Sequence, residues 1–355
     1  MSDERWVDID KAIRLGRPLA KANLAGLDAR GRSLAGLVLQ QCVLVGAELA
    51  GADLTGTTFI ECDLTGVDFS QGRLYTTHFV QCMLAGSRWA GGHYELLSLI
   101  ESDLSASDWR GATLALSSLV RCKLSGMDGS RLTLLRSAVL EGEAAGLRLD
   151  GARLDQGVLQ DIDLAHVSLA GISADVAVLL NANLAGKSLA GATLTRCTLM
   201  GADLTGTDLT GATLTGSNLR QARLCGTRLV DASAANLLLL GAELVDADCR
   251  GADLSGAIFQ EARLTGCRFD GAQLAKSVWT GARLERVSLA GADCTFARFE
   301  HARGQYLDCT RARFDHASLH DADFSHCDWS GARRRGTRGT DSFLLAAQAG
   351  LLEAA

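Results

Sequence analysis

The sequence predicts an all-β solenoid, a chain that coils around its own apolar interior. From Leu24 to Trp329 every fifth residue is apolar or small, and the register never slips. These 62 positions hold 39 Leu, 8 Phe, 4 Trp, 4 Ala, 3 Cys, 2 Gly, one Tyr and one Val. Self-similarity at a fixed short period is the signature of a solenoid, in which each repeat contacts only its neighbours.

A period of five excludes the ordinary helix and the ordinary strand. A helix turns about 100° per residue, so a step of five would drift by about 140° per repeat. A strand alternates faces with period two, so an odd step would send successive leucines to opposite sides. The apolar residues share one side only if the chain bends inward at every repeat.

A second inward column lies two residues before each centre, where the residue is usually small. Residues two apart in an extended segment point to the same side. Each repeat therefore presents one large and one small side chain inward and three residues outward. The outward positions are rich in Asp, Asn, Arg, Ser, Thr and Gly, and pairs such as Thr205–Gly206 are typical of turns. The small column includes Ala22, Cys42, Ala47, Ala52, Cys62, Ala112, Ala202, Ala252 and Ala312.

The repeats resemble the pentapeptide-repeat family, whose motif is A(D/N)LXX. Five segments match it: Ala22–Gly26, Ala52–Gly56, Ala182–Gly186, Ala202–Gly206 and Ala252–Gly256. The resemblance covers roughly residues 20–333. It implies a right-handed quadrilateral β-helix with four pentapeptides per coil, and therefore about 15 coils.

Four repeats per coil predict that residues twenty apart stack on one another. The sequence places like with like at this spacing in several columns: Cys42, Cys62 and Cys82; Phe59 and Phe79; Trp89 and Trp109; Phe259, Trp279 and Phe299. Coaxial aromatic rings fill a column without voids. Small centres predict thin or irregular coils at Gly129, Ala144, Ala174, Ala234 and Gly304.

Three segments are predicted: an N-terminal helical cap at 1–19, the repeats at 20–333, and a basic joint with a C-terminal helix at 334–355. The first helix should use Trp6, Ile9 and Ile13 to cover the first coil, because a solenoid exposes an apolar cross-section at each end. The last helix should begin near Asp341 and cover the last coil. The alternative is a homodimer contact made by its apolar stripe of Phe343, Leu344, Ala347 and Leu351.

The composition favours a reduced, cytoplasmic protein without a membrane span. No apolar run approaches the roughly 18 residues of a membrane span, and the charged start has no signal-peptide core. Ten of the eleven cysteines fall at inward positions, which leaves Cys225 outward. We interpret them as small apolar core residues rather than disulfides or zinc ligands.

No pattern in the sequence predicts catalysis, a metal site or a cofactor. His316, His320 and His326 are close in the sequence, but on a turning extended chain His316 and His326 should point from opposite faces. An uninterrupted repeat also lacks loops that could build a concave pocket. We therefore expect a protein that is not an enzyme and that binds no cofactor.

Surface charge gives the one candidate binding feature. Acidic residues number 41 and basic residues 35, so the net charge is −6, with the signs interspersed. One column of residues twenty apart reads Asp163, Asn183, Asp203, Arg223, Glu243, Arg263, Arg283 and Arg303. Its four arginines form a candidate partner-binding strip: Arg223, Arg263, Arg283 and Arg303. The structural interpretation of the same residues is a solvated face.

The leading functional prediction is a protein-binding scaffold or adaptor without enzymatic activity. The family resemblance implies that such a rod is itself an accessory component of a bacterial secretion system, with a protein partner that the sequence does not identify. It also implies an alternative, the protection or inhibition of DNA gyrase by DNA mimicry. Mimicry needs a dense field of one sign, and four arginines in one column depart from it, so direct binding to nucleic acid is not expected either.

Overall fold

The computed structural model describes Glu4–Ser342 and forms a parallel β-solenoid of about 15 turns with one short helix in the described residues. This confirms the predicted fold class, which is consistent with a right-handed pentapeptide-repeat β-helix. The chain divides into two compact units, Met1–Val178 and Leu179–Ala355. Each unit is described by itself below.

The first unit begins with a helix, α1 (Arg5–Leu15), that covers the start of the repeats. Trp6 and Ile9 are buried, and the guanidinium of Arg32 lies 3.3 Å from the centroid of the Trp6 ring. The third buried residue is Ala12 rather than Ile13, which is 37% exposed. The apolar stripe therefore runs along positions three apart, and Ile13 lies at its edge.

The strands are two or three residues long, because the chain turns after each repeat. In the first unit they are β1 (Leu19–Ala20), β2 (Val38–Gln40), β3 (Thr58–Ile60), β4 (His78–Val80), β5 (His93–Glu95), β6 (Ser98–Ile100), β7 (Thr113–Ala115), β8 (Ser118–Val120), β9 (Thr133–Leu135), β10 (Ala138–Leu140), β11 (Arg153–Asp155), β12 (Val158–Gln160) and β13 (Ser173–Asp175). In the second they are β14 (Thr193–Thr195), β15 (Glu243–Val245), β16 (Arg263–Thr265), β17 (Arg283–Glu285), β18 (Arg303–Gln305) and β19 (Asp323–Ser325).

Every pairing is parallel and joins residues twenty apart. In the first unit one sheet has the order β1-β2-β3-β4-β6-β8-β10-β12, and a second contains β5, β7, β9, β11 and β13. In the second unit β15 to β19 form a sheet in chain order. Isolated bridges extend the same register between the strands, as in Asp203 with Arg223. The period of twenty is the direct consequence of four repeats per turn.

Each corner is a tight turn that needs a left-handed residue. The N–H of Thr207 donates to the carbonyl of Leu204 at 3.0 Å, and Gly206 between them has φ of 65°. Glycine adopts this conformation without strain, which explains its frequency two residues after the centre. Other residues occupy equivalent corners, including the β-branched Val176 at φ 54°. Closure of the coil therefore overrides local preference at those corners.

The two inward columns form the core in both units. Leu204 and Leu209 are almost fully buried, as is Ala202. Threonines in the small column donate to a carbonyl 23 residues earlier, as Thr207 Oγ1 does to Leu184 at 2.8 Å. The thiol of Cys62 makes the equivalent contact to Leu39 at 3.4 Å. These buried hydroxyls and thiols are thus satisfied by the backbone of the previous coil.

The small centres have different consequences at different positions. Gly304 leaves no void, because a Cβ there would lie 2.7 Å from the Phe324 ring and 2.8 Å from Leu307. At Gly129 a Cβ would likewise lie 3.0 Å from Leu149, so that space is also filled. A small apolar cavity of about 20 Å³ remains in the core of the first unit, lined by leucines that include Leu124, Leu134 and Leu149. The register continues on both sides of it.

The ladder continues past the predicted boundary at residue 333. Its last bridge joins Ser318 to Arg338. Backbone pairing does not depend on side chains, so the chain completes this turn even though the centre position is Arg334, which is exposed. The predicted contact residues Phe343, Leu344, Ala347 and Leu351 lie outside the described residues.

Candidate functional site

The arginine strip is an aligned column on one face of the second unit. Strands β16, β17 and β18 pair so that Arg263 lies opposite Arg283, and Arg283 opposite Arg303. Arg223 belongs to the same column two coils before Arg263, with Glu243 between them. Parallel strands are spaced by about 4.8 Å, so three guanidinium groups follow one another on adjacent strands.

The four arginines of the strip differ in how their charge is compensated. Arg223 pairs with Glu243 at 3.8 Å, and Arg303 pairs with Asp321 at 3.0 Å. Arg263 and Arg283 form no ion pair within 4.0 Å among residues 4–342. The centre of the strip therefore carries two uncompensated positive charges.

The strip differs from most of the neighbouring column in the second unit. The neighbouring column alternates in sign through Asp208, Arg228, Asp248 and Arg268, so each arginine there has an acid on an adjacent strand. Like charges directly opposite each other on neighbouring strands destabilise a sheet. At about 5 Å in water each such pair costs up to roughly 1 kcal/mol. The folded protein therefore carries an electrostatic repulsion at the strip.

An open depression of about 460 Å³ lies on the strip. Its lining consists of the outward residues of β16, β17 and β18 with parts of the leucines beneath them: Arg263, Leu264, Thr265, Arg283, Leu284, Glu285, Arg303 and Gln305. Glu285, the acid within it, pairs with the adjacent Arg286. The depression therefore presents unpaired cationic donors together with a hydroxyl and an amide.

Asp321 fixes one end of the strip. Its carboxylate accepts hydrogen bonds from Arg303 at 3.0 Å and meets Nδ1 of His301 at 2.9 Å. These contacts with His301 and Arg303 lower the pKa of Asp321. Arg303 also donates to the backbone carbonyl of Asp321. Arg303 is thus held in place, whereas Arg263 and Arg283 are not.

An exposed aromatic residue borders the strip. Tyr306 follows β18 directly, is 58% exposed, and has φ of 56°. It stacks on His326, with ring centroids 5.2 Å apart and planes 14° apart. The sequence signal was available, because these residues lie twenty apart at the corner position. Their position next to the strip depends on the four-per-coil geometry.

The three histidines considered as metal ligands do not come together. His316 stacks on Phe296 and His326 on Tyr306, at two different corners. His320 is buried, and its Nδ1 accepts the N–H of Asp341 at 3.1 Å. Within the described part of the chain, no group of three His, Cys, Asp or Glu side chains could hold a metal ion. No helix in that part is long and apolar enough to cross a membrane.

The family model for pentapeptide repeats matches eight copies that cover more than half of the chain. The matched residues are 33–71, 177–216, 202–237, 239–271, 267–303 and 305–345. The chain belongs to the pentapeptide-repeat family. This confirms the resemblance on which the fold prediction depended.

Several solved structures resemble this pentapeptide-repeat chain. Full-length QnrB1, a plasmid-mediated fluoroquinolone resistance protein, is 19% identical over 59% of this chain and 96% of its own, with a TM-score of 0.30. HetL, involved in heterocyst differentiation regulation in Nostoc sp. strain PCC 7120, is 19% identical over 93% of this chain and 95% of its own, with a TM-score of 0.14. The AlgE4 A-module, a mannuronan C-5 epimerase from Azotobacter vinelandii, is 14% identical over 96% of both chains, with a TM-score of 0.27.

At these identities and TM-scores, none of the three structures bears on the function of this chain. No curated protein sequence matches the chain significantly. The function must therefore be argued from the surface itself.

Proposed function

We propose that this pentapeptide-repeat protein is a non-enzymatic scaffold that binds an acidic segment of a protein partner through the arginine strip. The observation that carries the proposal is the run of Arg263, Arg283 and Arg303 on adjacent strands, with two of the three unpaired in the described chain. An acidic partner would remove a repulsion that the free protein bears. Arginine also binds carboxylates through two parallel hydrogen bonds.

We propose that this scaffold is an accessory component of a bacterial secretion system. We also propose a cytoplasmic location, and buried unpaired thiols such as those of Cys62 and Cys82 suit a reducing compartment.

The experiment compares three forms of the full chain as affinity baits in lysate of the source cells. They are the native chain, an Arg263→Glu/Arg283→Glu variant, and an Arg220→Glu control. Arg220 is an exposed arginine of the same unit that lies in another column. Captured proteins are identified by mass spectrometry, and binding of the purified candidate is then measured at two salt concentrations.

We expect one acidic protein to bind the native chain and the control and to lose at least tenfold in affinity with the strip variant. Its binding should also weaken with salt, as contacts between exposed charges do. A partner that binds the strip variant as tightly as the native chain would refute the proposal.

The alternative is protection or inhibition of DNA gyrase by DNA mimicry. The densest acidic column of the first unit is Asp28, Glu48 and Asp68. Arg30 lies 2.9 Å from Asp28 and 2.8 Å from Glu48, so this column is partly neutralised. A mimic of the phosphate backbone needs an uncompensated field, and this favours the scaffold. A gyrase supercoiling assay with and without a quinolone tests the alternative, and no change at micromolar protein would eliminate it.

A further inference from the structure

The longest sheet of the first unit carries an apolar outer surface. On strands β3, β4, β6, β8 and β10 the last residue points outward and is apolar: Ile60, Val80, Ile100, Val120 and Leu140. These side chains are half-buried by one another. The outer positions of a solenoid do not contribute to its core, so its stability does not require them to be apolar.

We define the apolar face as the outward residues of six strands, β2, β3, β4, β6, β8 and β10. They form two columns: Val38, Thr58, His78, Ser98, Ser118 and Ala138; and Gln40, Ile60, Val80, Ile100, Val120 and Leu140. A contiguous apolar patch on a soluble surface marks an interaction site. Two sheets with such faces pack against each other at about 10 Å.

We propose that the apolar face pairs with the same face of a second copy of this chain. The two-fold axis would run parallel to the strands and pass between β4 and β6. Each strand would then face the strand at the same distance on the other side of the axis. Such an interface is isologous, and it must be self-complementary.

The side chains of the face meet this requirement. Val80 would face Ile100 of the second copy, and Ile60 would face Val120. The polar members would also face each other, with His78 against Ser98 and Thr58 against Ser118. Apolar residues thus oppose apolar ones at the centre, and polar residues oppose polar ones beside them.

Charged residues along the edge of the face also favour this pairing. We define the corner ladder as the residues that follow the six strands: Gln41, Glu61, Gln81, Glu101, Arg121 and Glu141. Within one chain they are joined by hydrogen bonds such as Gln81 to Glu101 at 2.9 Å and Arg121 to Glu101 at 2.8 Å. Their side chains therefore line up along one border.

The same two-fold axis makes the corner ladder complementary to itself. It would place Glu61 opposite Arg121 of the second copy, and it would place an amide opposite each of the other two glutamates. A shift of the axis onto β6 would instead put Glu101 against Glu101 and Glu61 against Glu141. The apolar column fits either axis, and the charges select the one between β4 and β6.

The face is large enough for a stable dimer. The two face columns and the corner ladder contain six residues each. The corner column on the other border adds six more, for 24 in all: Gly36, Gly56, Thr76, Leu96, Leu116 and Arg136. Standard protein interfaces use about 20–30 residues on each side. The proposed surface is separate from the arginine strip, so it does not depend on the proposed function.

The test measures the mass of the full-length chain in solution by analytical ultracentrifugation. The native chain should be a dimer at micromolar concentration. Ile100→Glu should weaken the dimer at least tenfold, because it buries a carboxylate at the centre. Met83→Glu is the matched control, since Met83 is 51% exposed on another face of the same unit. Thermal melting of each variant reports whether it remains folded.

Charge reversal distinguishes this geometry from any other dimer. Glu61→Arg alone should put arginine against arginine, and Arg121→Glu alone should put glutamate against glutamate, so each variant should weaken its own dimer. A mixture of the two variants restores both opposite-charge contacts and should form the heterodimer.

Three results would overturn the proposal: a native monomer at 100 µM, a dimer unchanged by Ile100→Glu, or a mixture that gains no heterodimer. A dimer lost instead on Phe343→Asp would assign the contact to the C-terminal segment.

Discussion

Phe259 and Trp279 are twenty residues apart and stack face to face in the core, with ring centroids 3.9 Å apart and planes 7° apart. Phe299 continues the column, 5.4 Å from Trp279. All three side chains are fully buried. Such stacking requires that every coil between them contain the same number of residues. The aromatic column therefore shows that the repeat length is constant between these residues.

Trp279→Ala should destabilise the protein by about 3–5 kcal/mol, because it removes a large buried ring from a packed column. Phe296→Ala is the matched control, since Phe296 is an aromatic residue of the same unit that is 53% exposed and stacks on His316. Its cost should stay near 1 kcal/mol or below. Urea unfolding followed by circular dichroism measures both. Equal losses would contradict the distinction between core and corner.

Leu199→Arg should unfold or aggregate the chain, because Leu199 is fully buried and a charge there would have no partner. Asp203→Ala should cost about 1 kcal/mol, the loss of a hydrogen bond from the Thr205 N–H at 2.9 Å. Soluble yield and the melting temperature report both. If the two substitutions had similar effects, the inward and outward assignment of the repeat would be wrong.

The period of five was sufficient to predict which side chains enter the core. Leu204 and Ala202 are buried as their positions in the repeat require. This succeeds because the repeat contains no insertion, so one inward assignment propagates along the chain. The same reasoning predicts that Arg263, Arg283 and Arg303 share a column.

The sequence does not predict how individual side chains pack and pair between successive coils. Gly304 indicated a thin coil, yet Phe324 and Leu307 occupy its space. The pairing of Arg303 with Asp321 spans 18 residues and depends on rotamers at a corner. The sequence shows that Ile60 and Val80 are outward residues of one periodic column. Only the structure shows that this column lies on a continuous sheet, where its side chains form one apolar face.

Arg283→Ala should leave the stability unchanged or raise it by about 0.5 kcal/mol, since it removes repulsion from Arg263 and Arg303. Arg250→Ala is the control, because Arg250 pairs with Asp248 at 2.6 Å and its loss should destabilise the protein slightly. Unfolding at low and high salt measures both effects. Added salt should reduce the gain from Arg283→Ala. A clear loss of stability would show that this arginine has a structural role.

Most thiols should be unreactive until the protein unfolds. Burial raises the pKa of Cys122 to about 11 and that of Cys267 to about 12. The thiolate is the reactive form. These thiols therefore stay protonated near neutral pH, and their burial also keeps reagents away from them. Nine of the eleven cysteines are buried, and only Cys225 and Cys327 are partly exposed. Titration with a chromogenic disulfide should therefore detect about two thiols in the native protein and eleven in denaturant. Rapid reaction of more than two would contradict the core assignment.

Stability should fall as the pH drops below about 4, and Asp248 contributes to this loss. Hydrogen bonds from Arg250 lower the pKa of the Asp248 carboxyl. Above the unfolded value of about 3.9 the carboxylate is ionised in both states, and its stabilisation is fully present. As the pH falls through the lower pKa of the folded state, that stabilisation is lost.

Asp248→Asn should therefore make the stability less dependent on pH between about 4 and 2, by the 0.2–1 kcal/mol typical of surface pairs. Asp163→Asn is the control, because that carboxylate accepts the N–H of Ala165 at 2.9 Å and pairs with no arginine among residues 4–342. Chemical unfolding at a series of pH values measures the slopes. A slope for Asp248→Asn that matches the native protein, while Asp163→Asn flattens it, would contradict the assignment. The pairing of Asp248 with Arg250 would then contribute nothing to the acid stability of the folded chain.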